Sequence, residues 1–185
     1  MRTFIAIRVP ATDQLVTASR QLSALLSPRN IVPPEQWHAT LQFLGGTAEH
    51  LIPRLVSIMT AIAATECAQT VTIRGLGAFP NLARPTVLWA GFFDAAVLTR
   101  MATQLALQCQ NLGFSRETRP FQPHLTLARV KSRPSEPLAE LIRSNHELDL
   151  GHVKVASLEL FRSDLTSTGP EYTAIASAPL LHDGA

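Results

Sequence analysis

The sequence has few charged residues, few cysteines and no long uninterrupted apolar run, and each shortage excludes a class of protein. Charged residues make up 16% of the 185 positions and apolar residues 46%, whereas disordered chains combine low hydrophobicity with high charge. Two cysteines, Cys67 and Cys109, are too few for a disulfide scaffold and are expected as free thiols. The first apolar run is broken by Arg8, and no stretch reaches about 18 apolar residues. We therefore expect a soluble, cytoplasmic protein without a membrane partner.

Lysine is also scarce, and several common catalytic motifs are missing. Of the 16 basic residues only Lys131 and Lys154 are lysines, which leaves 14 arginines. A net charge of +2 without a basic run argues against a protein that coats duplex nucleic acid. A local phosphate site remains possible because the arginine fork suits phosphate, although codon bias also explains an arginine excess. The sequence contains no Gly-x-Ser-x-Gly, no Walker loop and no Gly-x-Gly-x-x-Gly.

What the sequence does contain is an internal repeat. A strand over 3–9, a capped helix and a proline-containing loop lead to a strand that opens near His38. A strand over 86–92, another capped helix and another such loop lead to a strand that opens at His124. The repeat predicts a duplicated α+β fold with two antiparallel or mixed sheets, outer helices and a pseudo-twofold axis. At about 150 residues per domain, residues 1–185 form one domain of two lobes.

Periodicity and capping signals predict the other elements. The stretch 75–80 is expected to be a loop with a turn at its glycines. The expected helices lie over 13–27, from a Thr47 cap through Leu51 to Ile62, from an Asp94 cap to Gly113, and near 136–144. The expected strands lie over 36–44, around 71–73, and over 124–130, 153–161 and 171–177.

Each half opens its last strand with the tripeptide His-x-Thr. Alternate side chains of a strand share a face, so His38 and Thr40 point to one side, about 6.7 Å apart along the strand. His124 and Thr126 do the same in the second half. The opposite face of the first strand is apolar and expected in the core: Trp37, Ala39, Leu41 and Phe43.

A pseudo-twofold axis would bring two imidazoles and two hydroxyls to one cleft. One neutral imidazole can take a proton from water and one imidazolium can give a proton to a leaving alkoxide, while two hydroxyls hold phosphoryl oxygens. Both histidines titrate near pH 6.5 when unperturbed, so mixed protonation is accessible. A structural histidine is the alternative for either tripeptide taken alone. Metal binding is disfavoured because Glu35 is the only acidic residue or cysteine within four positions; we expect no metal and no cofactor.

Several passages resemble one known family. They are 2–7, His38-Ala-Thr-Leu-Gln-Phe-Leu-Gly (38–45), 79–92, the second motif Phe-Gln-Pro-His-Leu-Thr-Leu-Ala-Arg (121–129) and the late strand 158–163. Together they resemble the two-histidine (2H) phosphoesterases, and more narrowly the bacterial LigT/ThpR-like RNA 2′,3′-cyclic phosphodiesterases, also called 2′-5′ RNA ligases.

The resemblance implies a bilobal fold whose histidines face across a central cleft. It implies metal-independent hydrolysis of a 2′,3′-cyclic phosphate to a 2′-phosphomonoester, with His38 as proton donor and His124 as proton acceptor. It assigns phosphate binding to Thr40, Thr126 and Arg129. Strict alternation, however, puts Arg129 on the face opposite His124. A β-bulge there, a reach around the strand end, or a purely surface role for Arg129 are the alternatives.

The substrate is less defined than the chemistry. RNA ends and small cyclic nucleotides are both expected substrates. A 2′-5′ RNA ligase or 2′-5′ phosphodiesterase would use the same histidines, and a non-catalytic RNA-end binding module is the third possibility. Phe121, in the loop before the second motif, is a candidate for stacking on a base. Nothing in the sequence requires more than a monomer.

Overall fold

The computed structural model describes residues 1–115, 119–131, 133–166 and 169–182. Short 3-10 turns lie at Pro28–Asn30, Pro34–Gln36 and Glu49–Leu51. The helices and strands, in chain order, are β1 (Arg2–Arg8), α1 (Asp13–Ser23), β2 (His38–Gly46), α2 (Ile52–Ala63), β3 (Gln69–Phe79), β4 (Val87–Phe93), α3 (Ala96–Gln110), β5 (His124–Arg129), α4 (Glu136–Ser144), β6 (Asp149–Val155), β7 (Ser157–Thr166) and β8 (Gly169–Pro179).

The strands form two four-stranded sheets of matching design. The first sheet has the order β2-β1-β7-β8 and the second β5-β4-β3-β6, and neighbouring strands are antiparallel throughout. In both sheets the strand that begins with a motif histidine is an edge strand, paired with the first strand of its own half. The edge strands β2 and β5 lie next to each other, so the fold brings the two motifs together.

Helices cover one face of each sheet. α1 and α4 lie against β6 and β3 of the second sheet, whereas α2 and α3 lie against β8 and β2 of the first. The α1 helix begins where the Thr12 hydroxyl accepts a hydrogen bond from the Leu15 amide, as the capping signal predicts. One cluster of buried side chains includes both sheets and the helices, among them Ile5, Leu15, Leu55, Ile73, Leu98 and Leu125.

Two predicted helix caps are wrong. The Thr47 hydroxyl does not cap α2; it lies 2.7 Å from the Thr3 hydroxyl and donates to the Gly45 carbonyl, and a 3-10 turn leads into the helix instead. Asp94 adopts a φ of 52° before α3, whose N-cap is Ala95 without a side-chain hydrogen bond. In both cases a tertiary contact or a tight turn overrides the local capping signal.

Other element boundaries also differ from the prediction. The stretch 75–80 is not a loop, because β3 continues to Phe79 through a register shift at Gly75, whose φ is 79°. The predicted strand 153–161 is two strands, β6 and β7, which meet at Ala156 and belong to different sheets. α1 ends at Ser23, four residues before the predicted end. Over the described ranges, the structure has no helix long and apolar enough to span a bilayer.

Candidate active site

Each motif histidine begins an edge strand and is held by the same type of contact. His38 Nδ1 lies 2.6 Å from the carbonyl oxygen of Gln36, and His124 Nδ1 lies 2.8 Å from that of Gln122. Because a carbonyl oxygen only accepts hydrogen bonds, Nδ1 is the donor in both contacts. Each ring is therefore fixed in orientation, and its Nε2 is left to exchange a proton.

A β-bulge in β5 turns Arg129 to the same face as the second motif. Thr126 lies opposite Trp89 and Arg129 lies opposite Val87, two residues before Trp89 in β4. Residues two apart in a strand share a face, so Thr126 and Arg129 share one as well. The two residues between them are both buried. The extra residue removes the conflict between strict alternation and the position of Arg129.

The first motif contains the corresponding bulge. Ala6 lies opposite Thr40, but the adjacent Ile5 lies opposite Gln42, so β2 has one extra residue there. Gln42 takes the buried face, and Phe43 turns outward with 56% of its surface exposed. The prediction that Phe43 belongs to the core is wrong for this reason, whereas Trp37 is buried as predicted, at 3% exposure.

An aromatic cluster surrounds His38. The ring centroids of Phe4, Tyr172 and Phe161 lie 4.8, 5.0 and 6.0 Å from that of the imidazole. Phe4 and Phe161 stack on each other at 5.1 Å, and Tyr172 meets Phe4 edge-on. These rings come from three strands of the first sheet and exclude water from one side of His38.

The second histidine has a smaller aromatic support. Phe79 meets His124 edge-on with 4.9 Å between ring centroids, and Phe79 also contacts Trp89. The Trp89 ring lies over Gly77, where a Cβ atom would overlap the indole. The buried indole Nε1 has no hydrogen-bond partner among the described residues. The glycine in β3 therefore makes room for the aromatic pair beneath His124.

Burial lowers the pKa of both motif histidines. For His38 desolvation is the main cause; the hydrogen bond to the Gln36 carbonyl opposes it, and the positive charges of Arg129, His124 and Arg8 lower the pKa further. For His124 desolvation again comes first, opposed by its own carbonyl contact, and Arg129 adds to the lowering. Both imidazoles thus favour the neutral form, and Arg129 is close enough to influence both.

A cavity of about 740 Å³ opens beside these groups. His38, Thr126 and Arg129 line it, whereas Thr40 and His124 do not. Thr40 faces the same side of β2 as His38, because their β1 partners Ala6 and Arg8 are two residues apart. The described residues contain no group of three or more histidine, cysteine, aspartate or glutamate side chains placed to hold a metal ion.

Comparison with known proteins identifies the family. A family model described as LigT like Phosphoesterase matches residues 5–89 and 94–172. A protein of Aquifex aeolicus named RNA 2′,3′-cyclic phosphodiesterase is 34% identical over 146 residues, which is 78% of each chain. One of the same name from Archaeoglobus fulgidus is 33% identical over 174 residues, covering 93% of this chain and 96% of the relative. The chain belongs to the LigT-like phosphoesterase family.

Solved structures support the LigT-like fold over the whole chain. The protein TT0787 of Thermus thermophilus has a TM-score of 0.83 at 28% identity, covering 100% of both chains. E. coli LigT complexed with 3′-AMP has a TM-score of 0.77 at 23% identity, covering 97% of both chains. The predicted α+β fold with two sheets is confirmed, with both sheets antiparallel rather than mixed.

Sequence reasoning missed several residues of this LigT-like site. Both motifs are preceded by glutamine, as Gln-x-His-x-Thr, and the main-chain carbonyl of each glutamine accepts the hydrogen bond from the imidazole. The repeated spacing was a visible signal, although the main-chain contact itself does not require a glutamine side chain. Arg8 pairs with Glu159 at 2.8 Å beside His38 and interrupts an apolar strand, which was a second signal. Phe161 and Tyr172 carry no local signal, since only the pairing of β7 and β8 brings them to His38.

Proposed function

We propose that this protein hydrolyses the 2′,3′-cyclic phosphate at RNA ends to a 2′-phosphomonoester. Relatives at 31–35% identity over most of the chain are named RNA 2′,3′-cyclic phosphodiesterase. The observation that carries the proposal is the matched pair of imidazoles, His38 and His124. Each is fixed through Nδ1 by a carbonyl and comes from an edge strand that also presents a threonine hydroxyl.

The proposed reaction needs two proton transfers and one stabilised phosphorane. His124 Nε2 takes a proton from water, and the water oxygen bonds to phosphorus. The bond from phosphorus to the ribose O3′ breaks, and His38 Nε2 gives its proton to that oxygen. The products are a 2′-phosphate and a 3′-hydroxyl, and solvent exchange resets both rings. The Thr40 and Thr126 hydroxyls donate to the non-bridging oxygens, and Arg129 balances their charge.

The lowered pKa values suit the two roles differently. A base must be neutral before it can accept a proton, and burial keeps His124 neutral near pH 7. His38 must be protonated to act as the donor, which its burial and the nearby cations oppose. Binding of an anionic phosphate beside His38 reverses part of that effect, because an opposite charge favours the protonated ring. Substrate binding and protonation of His38 are therefore coupled.

The pH dependence of kcat/KM should show this lowering. The protonated fraction of His38 falls as pH rises through its pKa, and the neutral fraction of His124 falls as pH drops through its own. Both pKa values lie below 6.5, so we expect a bell-shaped profile of kcat/KM whose maximum lies below pH 6.5. The two apparent pKa values of that profile belong to the coupled pair and not to either histidine alone. The maximum in kcat should lie at higher pH. A kcat/KM plateau that extends into the alkaline range would contradict the assignment.

Product analysis tests the proposed reaction directly. The protein is incubated with 2′,3′-cyclic AMP and with an oligoribonucleotide that ends in a 2′,3′-cyclic phosphate. Phosphorus NMR and chromatography then separate 2′- from 3′-phosphate. We expect the 2′-phosphate from both substrates, in the presence of a chelator. A 3′-phosphate product or no turnover of either substrate would overturn the proposal. A 2′-5′-linked dinucleotide in the same panel measures the related 2′-5′ phosphodiesterase reaction.

A further inference from the structure

The cavity beside the motifs extends well beyond the reacting groups. From His38, Thr126 and Arg129 it continues along α1 and the segment 28–34. Its volume of about 740 Å³ is toward the upper end of ligand pockets, which span about 300–1,000 Å³. A cyclic phosphate held beside His38, Thr126 and Arg129 would fill only the end at the motifs. The remainder is continuous with the proposed site and open to a larger ligand.

The outer wall of this cavity is attached to the strand of the second motif. The Asn30 side-chain amide donates to the Arg129 carbonyl at 2.6 Å, and the Val32 amide donates to the Leu127 carbonyl at 2.8 Å. Ile31 forms an isolated β-bridge with Ala128. The segment 28–34 therefore extends the edge of the second sheet, and its side chains are held at a fixed position relative to Arg129.

Positive charge predominates along the cavity. Arg20 of α1 and Arg29 of the segment 28–34 line it together with Arg129, and Glu171 is the only acidic residue among the described residues that does. Other arginines of the protein, such as Arg100, are paired with carboxylates. No ion pair to Arg20 or Arg29 exists within the described ranges. Their guanidinium groups are therefore available for an anion.

We propose that this extension binds the RNA chain on the 5′ side of the cyclic phosphate, with Arg20 and Arg29 contacting backbone phosphates. The inference rests on the proposed function. A 2′,3′-cyclic phosphate is a 3′ end, so the rest of the polymer must leave the site on the 5′ side. Arginine is the side chain best suited to bind phosphate, and apolar wall residues such as Val16 and Ile31 offer surface to sugars and bases. The protein thus prefers an oligonucleotide to a mononucleotide.

The test compares the two substrates in matched variants. The double variant Arg20→Gln/Arg29→Gln is set against Arg54→Gln, which changes an exposed arginine of α2 outside the cavity. We expect the double variant to lose about tenfold more kcat/KM on the oligonucleotide than on 2′,3′-cyclic AMP. Two lost phosphate contacts should also reduce the slope of log KM against log salt by about 1.4 for the oligonucleotide. Arg54→Gln should change neither quantity.

Binding provides a readout that does not depend on turnover. Fluorescence anisotropy measures the affinity for a labelled oligoribonucleotide that ends in a 2′-phosphate. Competition with unlabelled 2′-AMP then measures the affinity for the mononucleotide. The inference would be overturned if the double variant lost the same affinity for both ligands or kept its affinity for the oligonucleotide. An equal loss of affinity in Arg54→Gln would also overturn it. Failure of the proposed function looks different: wild-type protein then turns over neither substrate, while the anisotropy comparison still decides whether Arg20 and Arg29 bind the chain.

Discussion

Replacing either motif histidine is expected to lower kcat by about 10²–10⁴-fold, the range for loss of a general acid or base. His38→Ala removes the proposed proton donor to O3′, and His124→Ala removes the proposed acceptor of the water proton. Neither role is expected to pass to a neighbour, because among the described residues His38 is the only histidine and Glu171 the only carboxylate that line the cavity. The double variant should be little slower than the slower single one, since groups that act as a unit are not additive.

In these variants, a loss of rate caused by misfolding must be distinguished from a loss caused by the missing imidazole. His38 packs against Phe4 and Tyr172, so truncation also leaves a cavity in an aromatic cluster. His38→Asn fills more of that space and should be as inactive as His38→Ala. His146→Ala is the matched control, because His146 also bonds a backbone carbonyl through Nδ1 but lies exposed, away from the motifs. Full turnover in His38→Ala or in His124→Ala would contradict the proposed roles of the two histidines as acid and base.

The internal repeat made much of this fold accessible to sequence reasoning. The order strand, helix, loop, strand with His-x-Thr occurs twice, and the structure turns it into two sheets with equivalent edge strands. Alternation placed His38 with Thr40 and His124 with Thr126, which the strand pairing bears out. These inferences need only the period of a strand and its local composition.

Features that depend on strand pairing could not be decided from the sequence. A bulge is a mismatch between two strands, so a bulge before Arg129 was only one of several alternatives, and the outward turn of Phe43 was not foreseen. The segment 153–161 contains no glycine or proline, yet the chain changes sheets at Ala156 inside it. Local strand propensity does not reveal the change of sheet, because the residues before and after Ala156 both favour a β-strand.

The two bulges also show how the duplicated halves differ in chemistry. Phe43 and Arg129 each lie five residues after a motif histidine and turn to the motif face after the extra residue. One half thus presents an exposed aromatic ring and the other a cation. The cavity opens on the side of the cation. Two halves with equivalent strands therefore present different side chains at equivalent positions. The cation at this position beside the cavity suits a substrate with a charged phosphate.

Replacing Arg129 with alanine is therefore expected to lower kcat/KM by about 10²–10³-fold, the range for loss of one preorganised donor to a developing oxyanion. Arg129→Lys should recover only part of the rate, since a single ammonium does not reproduce the planar fork. The wall of the cavity should remain in place, because Asn30 bonds the Arg129 carbonyl and not its side chain. Steady-state kinetics on 2′,3′-cyclic AMP measures the loss.

A second readout distinguishes direct electrostatic action from a structural effect. Arg129 lowers the pKa of both His38 and His124, so its removal should raise both values and move the kcat/KM maximum to higher pH. Histidine titration by NMR reports each ring separately. Arg133→Ala, an exposed arginine after the strand, should leave both titrations unchanged. A rate loss in Arg129→Ala with unchanged histidine titrations would show that Arg129 does not act through the charge of the two imidazoles.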